Sequence, residues 1–284
     1  MLISVVTPTY NREKLLERCY KSLCNQNFKN FEWIVVDDGS LDDTRLIVES
    51  FKREKKINMR YIYQKNQGKH IAHNTGVLEA KGELFLCLDS DDYLFEDSLF
   101  KAAECWKKVN KKAIGIIAKR GDKYGHSLCS NFPQNVRYIK MFDLINYYNF
   151  SGDTALFFKT DILKEKMFPK FDNEKFLSET CLYFQLDEYG EMYLLDEILY
   201  CGEYQDDGLT SKYHKLMREN PIGATYCYYI GTLSSKRKIM IIKYYIFLFS
   251  YWNEKCRKYM NINPFMFCFY LIGKLYEKLK LSKL

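Results

Sequence analysis

Glu83-Leu84-Phe85-Leu86-Cys87-Leu88-Asp89-Ser90-Asp91-Asp92 is the stretch from which the rest of this 284-residue chain is read. An apolar run of strand type stops in three carboxylates within four residues. Left uncompensated, such a cluster repels itself, so a cation is expected there. Mg²⁺ and Mn²⁺ prefer oxygen ligands and are commonly shared between one or two carboxylates and a substrate phosphate. The stretch therefore reads as a metal–diphosphate site at the carboxyl end of a buried strand, where open α/β sheets bind ligands. The alternative is a solvated acidic turn, with Asp92 capping the next helix.

Working outward, the preceding residues alternate between strand and helix. Leu2 to Thr7 reads as a buried strand, and Asn11 as the N-cap of a helix through Leu15, Leu16, Cys19 and Leu23. Phe31 to Val36 reads as a second strand ending at Asp37-Asp38-Gly39-Ser40, and Asp42 or Asp43 then caps a helix. Met59 to Tyr63 is a third strand, His70 to Ala80 a helix, and Ser98 to Val109 another beyond the acidic tip. Strands alternating with helices imply parallel βαβ units and a doubly wound sheet. No G-x-G-x-x-G follows the first strand and no P-loop motif occurs, which argues against the usual dinucleotide and NTP cradles. If the strands run parallel, Asp37-Asp38 and Asp89–Asp92 emerge on one edge. One group is then free to read a base or ribose while the other holds a metal. Between them Asn66-Gln67-Gly68-Lys69 makes a turn whose Lys69 is a point charge suited to phosphate.

Composition narrows the setting. Ten cysteines without a C-x-x-C pair read as free thiols in a reducing compartment. No secretory signal is visible, so cytoplasm is the expected location. The net charge is +7, yet residues 236–284 alone carry eleven basic and two acidic side chains, leaving the body slightly acidic. This argues against nucleic acid in the main domain and for an anionic surface near the tail. The runs Ile239 to Tyr251 and Pro264 to Tyr276 are aromatic and basic, and too short for an ordinary membrane span. They read as amphipathic helices on a bilayer surface, or as helices packed on the protein or a partner subunit.

The opening Val5-Val6-Thr7-Pro8-Thr9-Tyr10-Asn11-Arg12 resembles the first motif of the family-two glycosyltransferases of GT-A fold. So does Glu32-Trp33-Ile34-Val35-Val36-Asp37-Asp38-Gly39-Ser40, followed by Asp42 and Thr44. Asn66, Gly68, Lys69, Ala72, Asn74 and Gly76 match the next block, and Ala80 to Asp92 the one carrying the Asp-x-Asp signature. The resemblance is collinear over roughly the first 100 residues. It implies a GT-A-type, doubly wound, mostly parallel sheet with a C-terminal helical region. It also implies an inverting transfer from a nucleotide-diphosphate sugar, usually a UDP-sugar, with Mn²⁺ or Mg²⁺. Carried over by position, Pro8, Tyr10 and Asp38 lie along the nucleoside, with Asp38 at the uracil. Asp89 approaches the ribose and, with Asp91, the metal, while Lys69 sits near the donor. Asp92 stands behind the metal ligands or caps a helix.

The general base of such a reaction is an Asp or Glu in the second half. Glu174-Lys175-Phe176-Leu177-Ser178-Glu179-Thr180 resembles that segment, with Glu179 as the base and Asp187 and Glu174 as lesser candidates. Glu179 also suits the first turn of the helix Cys181 to Leu186 simply as a charge. Gly202 to Ser211 resembles the family's lid, His214 is a further candidate metal ligand, and Gly152-Asp153 a candidate for the sugar pocket. His70 and His73 stand at helical spacing but lack a third zinc ligand nearby, so one is expected exposed and one packed. The expected division is a donor half (1–100), an acceptor half (101–220) and a basic aromatic helical region (221–284). The implied activity is hexosyl or N-acetylhexosaminyl transfer to a glycan or lipid-linked acceptor in surface-polysaccharide synthesis, peripheral to the inner face of the cell membrane, with a homo-oligomer possible in principle. The rival readings are a nucleotidyltransferase and a catalytically inactive nucleotide-sugar-binding scaffold.

Overall fold

The computed structural model describes residues 1–203, 208 and 210–281. Their contacts separate into two compact units: Met1–Met167 with Tyr189–Gln205, and Phe168–Glu188 with Asp206–Leu284. The expected donor half, 1–100, lies wholly in the first unit, while residues 101–220 are divided between the two because 168–188 go with the tail.

The first unit contains β1 (Ile3–Thr9), α1 (Leu16–Cys24), β2 (Phe31–Asp37), α2 (Thr44–Glu54), β3 (Met59–Tyr63), α3 (Lys69–Glu79), β4 (Leu84–Cys87) and β5 (Tyr93–Leu94). It continues through α4 (Ser98–Lys108), β6 (Gly115–Gly121), β7 (Tyr138–Ile139), α5 (Met141–Tyr147), β8 (Thr154–Lys159) and α6 (Thr160–Glu165). After α7 (Thr180–Leu186), which belongs to the second unit, the chain returns with β9 (Met192–Cys201). The sheet order is β3-β2-β1-β4-β8-β6-β9-β5, with β7 also on β9. Strands β1, β2, β3, β4, β6 and β9 point one way, and β5, β7 and β8 the other. The mostly parallel, doubly wound sheet is therefore present, with β8 inserted antiparallel between β4 and β6.

Two details of this topology position the site. The chain steps outward from β1 to β2 to β3, then returns to β4 on the other side of β1, which creates a switch point. Thr9 pairs with Asp37 and Val6 with Cys87, so β1, β2 and β4 all open their carboxyl ends on the same edge. At ordinary strand spacing the tips of β2 and β4 are about 10 Å apart, with the end of β1 between them.

β1 and β2 are buried along their whole length, which explains why they read as continuous apolar runs. α1 buries Leu16, Cys19, Tyr20 and Leu23 at helical spacing. Tyr20 stacks on Phe51 of α2 with centroids 4.1 Å apart. The Trp33 indole N–H donates to Thr7 Oγ1 at 2.9 Å, so the one polar atom of that ring is satisfied in the core. α1 begins at Leu16, not after Asn11: Asn11 sits at φ 52°, a left-handed conformation that Asn tolerates, and is used elsewhere.

The second unit is helical. Besides α7 it contains α8 (Tyr213–Glu219), α9 (Pro221–Ser234), α10 (Lys238–Tyr251), α11 (Tyr270–Leu281) and two 3₁₀ segments, Glu254–Lys258 and Pro264–Phe269. Buried Glu174 accepts the N–H groups of Ile222 (2.8 Å) and Gly223 (2.7 Å), capping the start of α9. The Asn220 side chain accepts from Lys175 N and Phe176 N at 2.9 and 3.2 Å, which ties the same two segments together. α10 packs on both α9 and α11 and buries Tyr245, Leu248 and Phe249. The run 239–251 is thus an internal packing element in its second half, with Ile239 and Ile242 exposed nearer its start, whereas α11 leaves a wider set of apolar side chains in solvent. Among the described residues no helix is long and apolar enough to cross a membrane.

A buried carboxylate knits the sheet below the site. Glu32 on β2 is 3% exposed. It accepts from Ser4 Oγ (2.7 Å), from Lys81 N (2.7 Å) and from Arg60 Nη2 (2.9 Å). Burial pushes its pKa up, but these three donors together outweigh burial and hold it below the ordinary 4.5. A depressed carboxylate stabilises the fold above its unfolded pKa and loses that contribution as pH falls through the folded one. Glu32→Gln is therefore expected to cost about 2–3 kcal/mol at neutral pH. In thermal unfolding at several pH values, the difference from the unsubstituted protein should close as pH drops below 4.5. A gap independent of pH would contradict this role.

Candidate active site

The site is built where β1, β2 and β4 end. The loops after β1 and β2 are laced together: Asn11 N donates to Ser40 Oγ (2.9 Å), and Leu41 N to Asn11 Oδ1 (2.8 Å). Glu13 N donates to Asp42 Oδ2 (3.1 Å), and Asp43 N to Glu13 Oε2 (2.9 Å). Asp42 also takes the Thr44 N–H at the start of α2 (3.1 Å), while Asp43 in the cap position makes no side-chain cap bond. Of the two expected caps, Asp42 does the work. These bonds fix the loop that carries Tyr10, which is 44% exposed at the end of β1, just beyond buried Pro8.

Both carboxylates at the β2 tip are buried and hydrogen-bonded within the protein. Asp37 accepts from Ser40 N (2.8 Å) and the Tyr61 hydroxyl (2.6 Å). Asp38 accepts from Gln64 Nε2 (2.7 Å), Gln67 N (2.9 Å) and Gly68 N (2.7 Å). Asp38 thereby holds the 64–68 turn against the edge of the sheet and brings Lys69, the first residue of α3, to the neighbouring acidic tip.

At that tip Asp89, Asp91 and Asp92 each offer an oxygen within 4.8 Å of the others. Lys69 Nζ pairs with Asp89 at 2.7 Å, and Arg120 Nη2 from β6 pairs with Asp92 at 2.7 Å. Lys69, Arg120 and the Arg12 charge thus act on the three carboxylates. Burial, then the Asp89 charge, raises the Asp91 pKa. Asp92 is pushed up to about 7 by burial and then by Asp89, against the pull of Arg120. Both shifts follow from burial first and then from like charge crowded among the three carboxylates. An all-oxygen donor set so crowded fits a hard divalent cation such as Mg²⁺ or Mn²⁺. Asp92 is not a helix cap, since α4 begins only at Ser98. It lies 1% exposed between Arg120 and the Glu203 N–H, which donates to it at 3.2 Å.

The residues that shape this tip from behind escape any local reading of the sequence. Arg120 also reaches Asp153 (3.3 Å) and lies over the Tyr200 ring, 5.2 Å from its centroid. The Tyr200 hydroxyl in turn accepts the Asp89 N–H at 2.7 Å. Gly202 makes room for the guanidinium: a Cβ there would fall 1.8 Å from Arg120 Nε. Arg18 of α1 donates to the Asp91 carbonyl oxygen and pairs with Glu203 at 2.5 Å. Arg120 and Tyr200 lie on β6 and β9, far from Asp89 in the chain, so no spacing rule links them. The available signal was the pair Lys119-Arg120 directly following the apolar run 114–118, and it does not say which of the two turns inward.

Other expected residues fall as follows. Asp153 joins the site through Arg120. His70 and His73 are both buried, at 4% and 7%, correcting the expectation of one exposed ring. Burial lowers the His70 pKa to about 4, and His73 packs edge-on to Phe85 at 5.0 Å. Among the described residues the three aspartates are the only group of three or more candidate ligands close enough to share an ion, and neither this pair nor His214 belongs to it. In the second unit Glu179 occupies the N-cap position of α7, half-buried, and accepts the Tyr183 hydroxyl at 3.2 Å. Glu174 is engaged as the cap of α9, and buried Asp187 closes α7. Of the expected lid, Tyr204 to Asp207 and Leu209 lie outside the described residues.

Residues 4–164 match the family model described as glycosyl transferase family 2. A GalNAc(5)-diNAcBac-PP-undecaprenol beta-1,3-glucosyltransferase of Campylobacter jejuni is 30% identical over 212 residues, covering 73% of this chain and 67% of that protein. A poly(ribitol-phosphate) beta-N-acetylglucosaminyltransferase, TarS of Staphylococcus aureus, is 37% identical over 105 residues, covering 36% of this chain and 18% of that protein. The structure of S. aureus TarS 1-349 in complex with UDP-GlcNAc is similar over 100% of this chain and 91% of that one, at 20% identity and a TM-score of 0.64. At that identity the likeness is one of fold. The family match, by contrast, spans more than half of the sequence and contains the entire acidic edge, and on that ground the chain belongs to the family 2 glycosyl transferases.

Proposed function

We propose that this chain transfers a sugar, with inversion, from a UDP-sugar to a glycan or lipid-linked acceptor in cell-surface polysaccharide synthesis, at the inner face of the cell membrane. The observation that carries the reading is the pair of acidic tips on one sheet edge, at 37–38 and 89–92, flanking the end of β1. The donor reading is supported by the nucleotide sugar held by the TarS structure. The acceptor reading is supported by the lipid-linked substrate named for the Campylobacter relative.

In this proposal residues 1–100 form the donor half and residues 101–220 the acceptor half. Pro8 and Tyr10 line the nucleoside, and Asp38, through the turn it holds, faces the uracil. Lys69 neutralises diphosphate charge, Asp89 approaches the ribose, and Asp89 and Asp91 would hold Mn²⁺ or Mg²⁺. A bound divalent ion would supply stabilisation of charge on the departing diphosphate. Arg120 and Tyr200 hold Asp92 and the Asp89 backbone so that the two ligands face outward. Glu179 takes the proton of the acceptor hydroxyl while the hydroxyl oxygen bonds to the anomeric carbon. The anomeric C–O bond to the diphosphate breaks, and its electron pair leaves with the phosphate oxygen.

Three substitutions separate these roles. Asp91→Ala should weaken UDP binding in the presence of Mn²⁺ roughly 10- to 100-fold in calorimetric titration, to the level the unsubstituted protein shows in chelator. Equal Mn²⁺ dependence in both proteins would remove Asp91 as a ligand. Glu179→Gln should keep donor binding and lose transfer by about 10²- to 10⁴-fold; ordinary transfer rates would remove it as the base. Arg120→Ala removes the partner of buried Asp92, which then protonates, and should cost about 1–3 kcal/mol in denaturant unfolding. An unchanged midpoint would mean that the pair contributes nothing to holding the tip.

A further inference from the structure

The outer face of α11 reverses the usual arrangement of a surface helix. Leu271, Ile272 and Leu275 are 77%, 49% and 57% exposed, and Phe265 in the preceding 3₁₀ segment is 83% exposed. At 100° per residue the three α11 side chains share an arc of about 100°. The opposite side is the one packed on α10: a Cβ at Gly273 would lie 2.7 Å from Phe249 Cβ and 2.8 Å from the Ile246 carbonyl oxygen. Tyr276 lies on that packed side too, its ring 5.3 Å from that of Phe247. The apolar arc is therefore not a core-facing stripe. Exposed Lys278 borders it, three and seven residues beyond Leu275 and Leu271.

Charge decides what covers this stripe. Residues 236–284 carry eleven basic and two acidic side chains, against a slightly acidic remainder. A second copy of so basic a segment would meet it with like charge. An anionic lipid surface offers both an apolar layer and the complementary sign. We propose that Phe265, Leu271, Ile272 and Leu275 insert into the headgroup–acyl boundary of an anionic bilayer, with Lys278 and neighbouring cations on the headgroups. This deepens the function proposed above and rests on it only for the meaning of the contact: α11 would bring the enzyme to the surface where a lipid-linked acceptor resides. α10 is packed on α9 and α11 through Tyr245, Leu248 and Phe249 and leaves Ile239 and Ile242 exposed toward its start.

The test is co-sedimentation of the full chain, without nucleotide, with vesicles of phosphatidylcholine alone or mixed with phosphatidylglycerol. Binding should favour the mixed vesicles and weaken as salt is raised. L271S/L275S should lower the partition coefficient about tenfold or more with an unchanged melting temperature, both positions being exposed. K278Q should lower it about fivefold, and F265S provides an independent apolar probe outside the helix. Wild-type binding by L271S/L275S, or equal binding to neutral vesicles, would overturn the proposal. So would a dimer in light scattering that the double substitution splits, since a second copy would then occupy the stripe. Loss of donor turnover in every variant and in the unsubstituted protein would instead sink the proposed reaction and leave vesicle binding untouched.

Discussion

The structure is governed by the mutual repulsion of three carboxylates at the end of β4. Asp89, Asp91 and Asp92 lie within 4.8 Å of one another, and such a group persists only if the protein supplies cations and donors around it. Lys69 arrives from the start of α3, Arg120 from β6 and the Tyr200 hydroxyl from β9. Each is brought by a different crossover of the sheet. The fold can therefore be understood as a device for holding a negative charge at a switch point. The oxygen-only donor set is of the kind that suits a hard divalent cation.

The neighbouring tip at Asp37 and Asp38 solves the same problem differently. There the carboxylates are spent on N–H and O–H groups of adjacent loops, which order the edge of the sheet around Tyr10 and Lys69. One acidic tip thus shapes the cradle while the other keeps charge available for a ligand. Glu32, one layer below, fastens β1, β3 and the turn before β4 to β2 and keeps the tips in register. The second unit uses a carboxylate in a third way, with Glu174 closing the N-terminus of α9.

The strands, helices and acidic tips of the first 100 residues were legible because each is encoded locally. Apolar runs buried on both faces mark β1, β2 and β4, and the periodic stripe of α1 marks its buried side. Local reading failed where a side chain had a better distant partner. Asn11 carries the composition of a cap but is drawn to Ser40 and Leu41. Asp92 looks like a cap and is an ion-pair partner of Arg120. The pairing of Arg120 with Asp92 and the seat of Tyr200 beneath Asp89 depend on β8 being threaded between β4 and β6, which no spacing announces. Likewise α10 and α11 share an aromatic, basic composition. Only packing reveals that α10 buries Tyr245, Leu248 and Phe249 while α11 carries its apolar arc outward.

The central claim is that a single divalent ion bridges Asp91 to the diphosphate of a nucleotide held across β1. Diffraction from crystals grown with Mn²⁺ and UDP, recorded at the manganese absorption edge, tests it most directly. The account requires one anomalous peak in contact with Asp91 and a phosphate oxygen, with the uracil toward Asp38. UDP bound along the same edge with no metal at Asp91, or manganese at a different group of side chains, would contradict it.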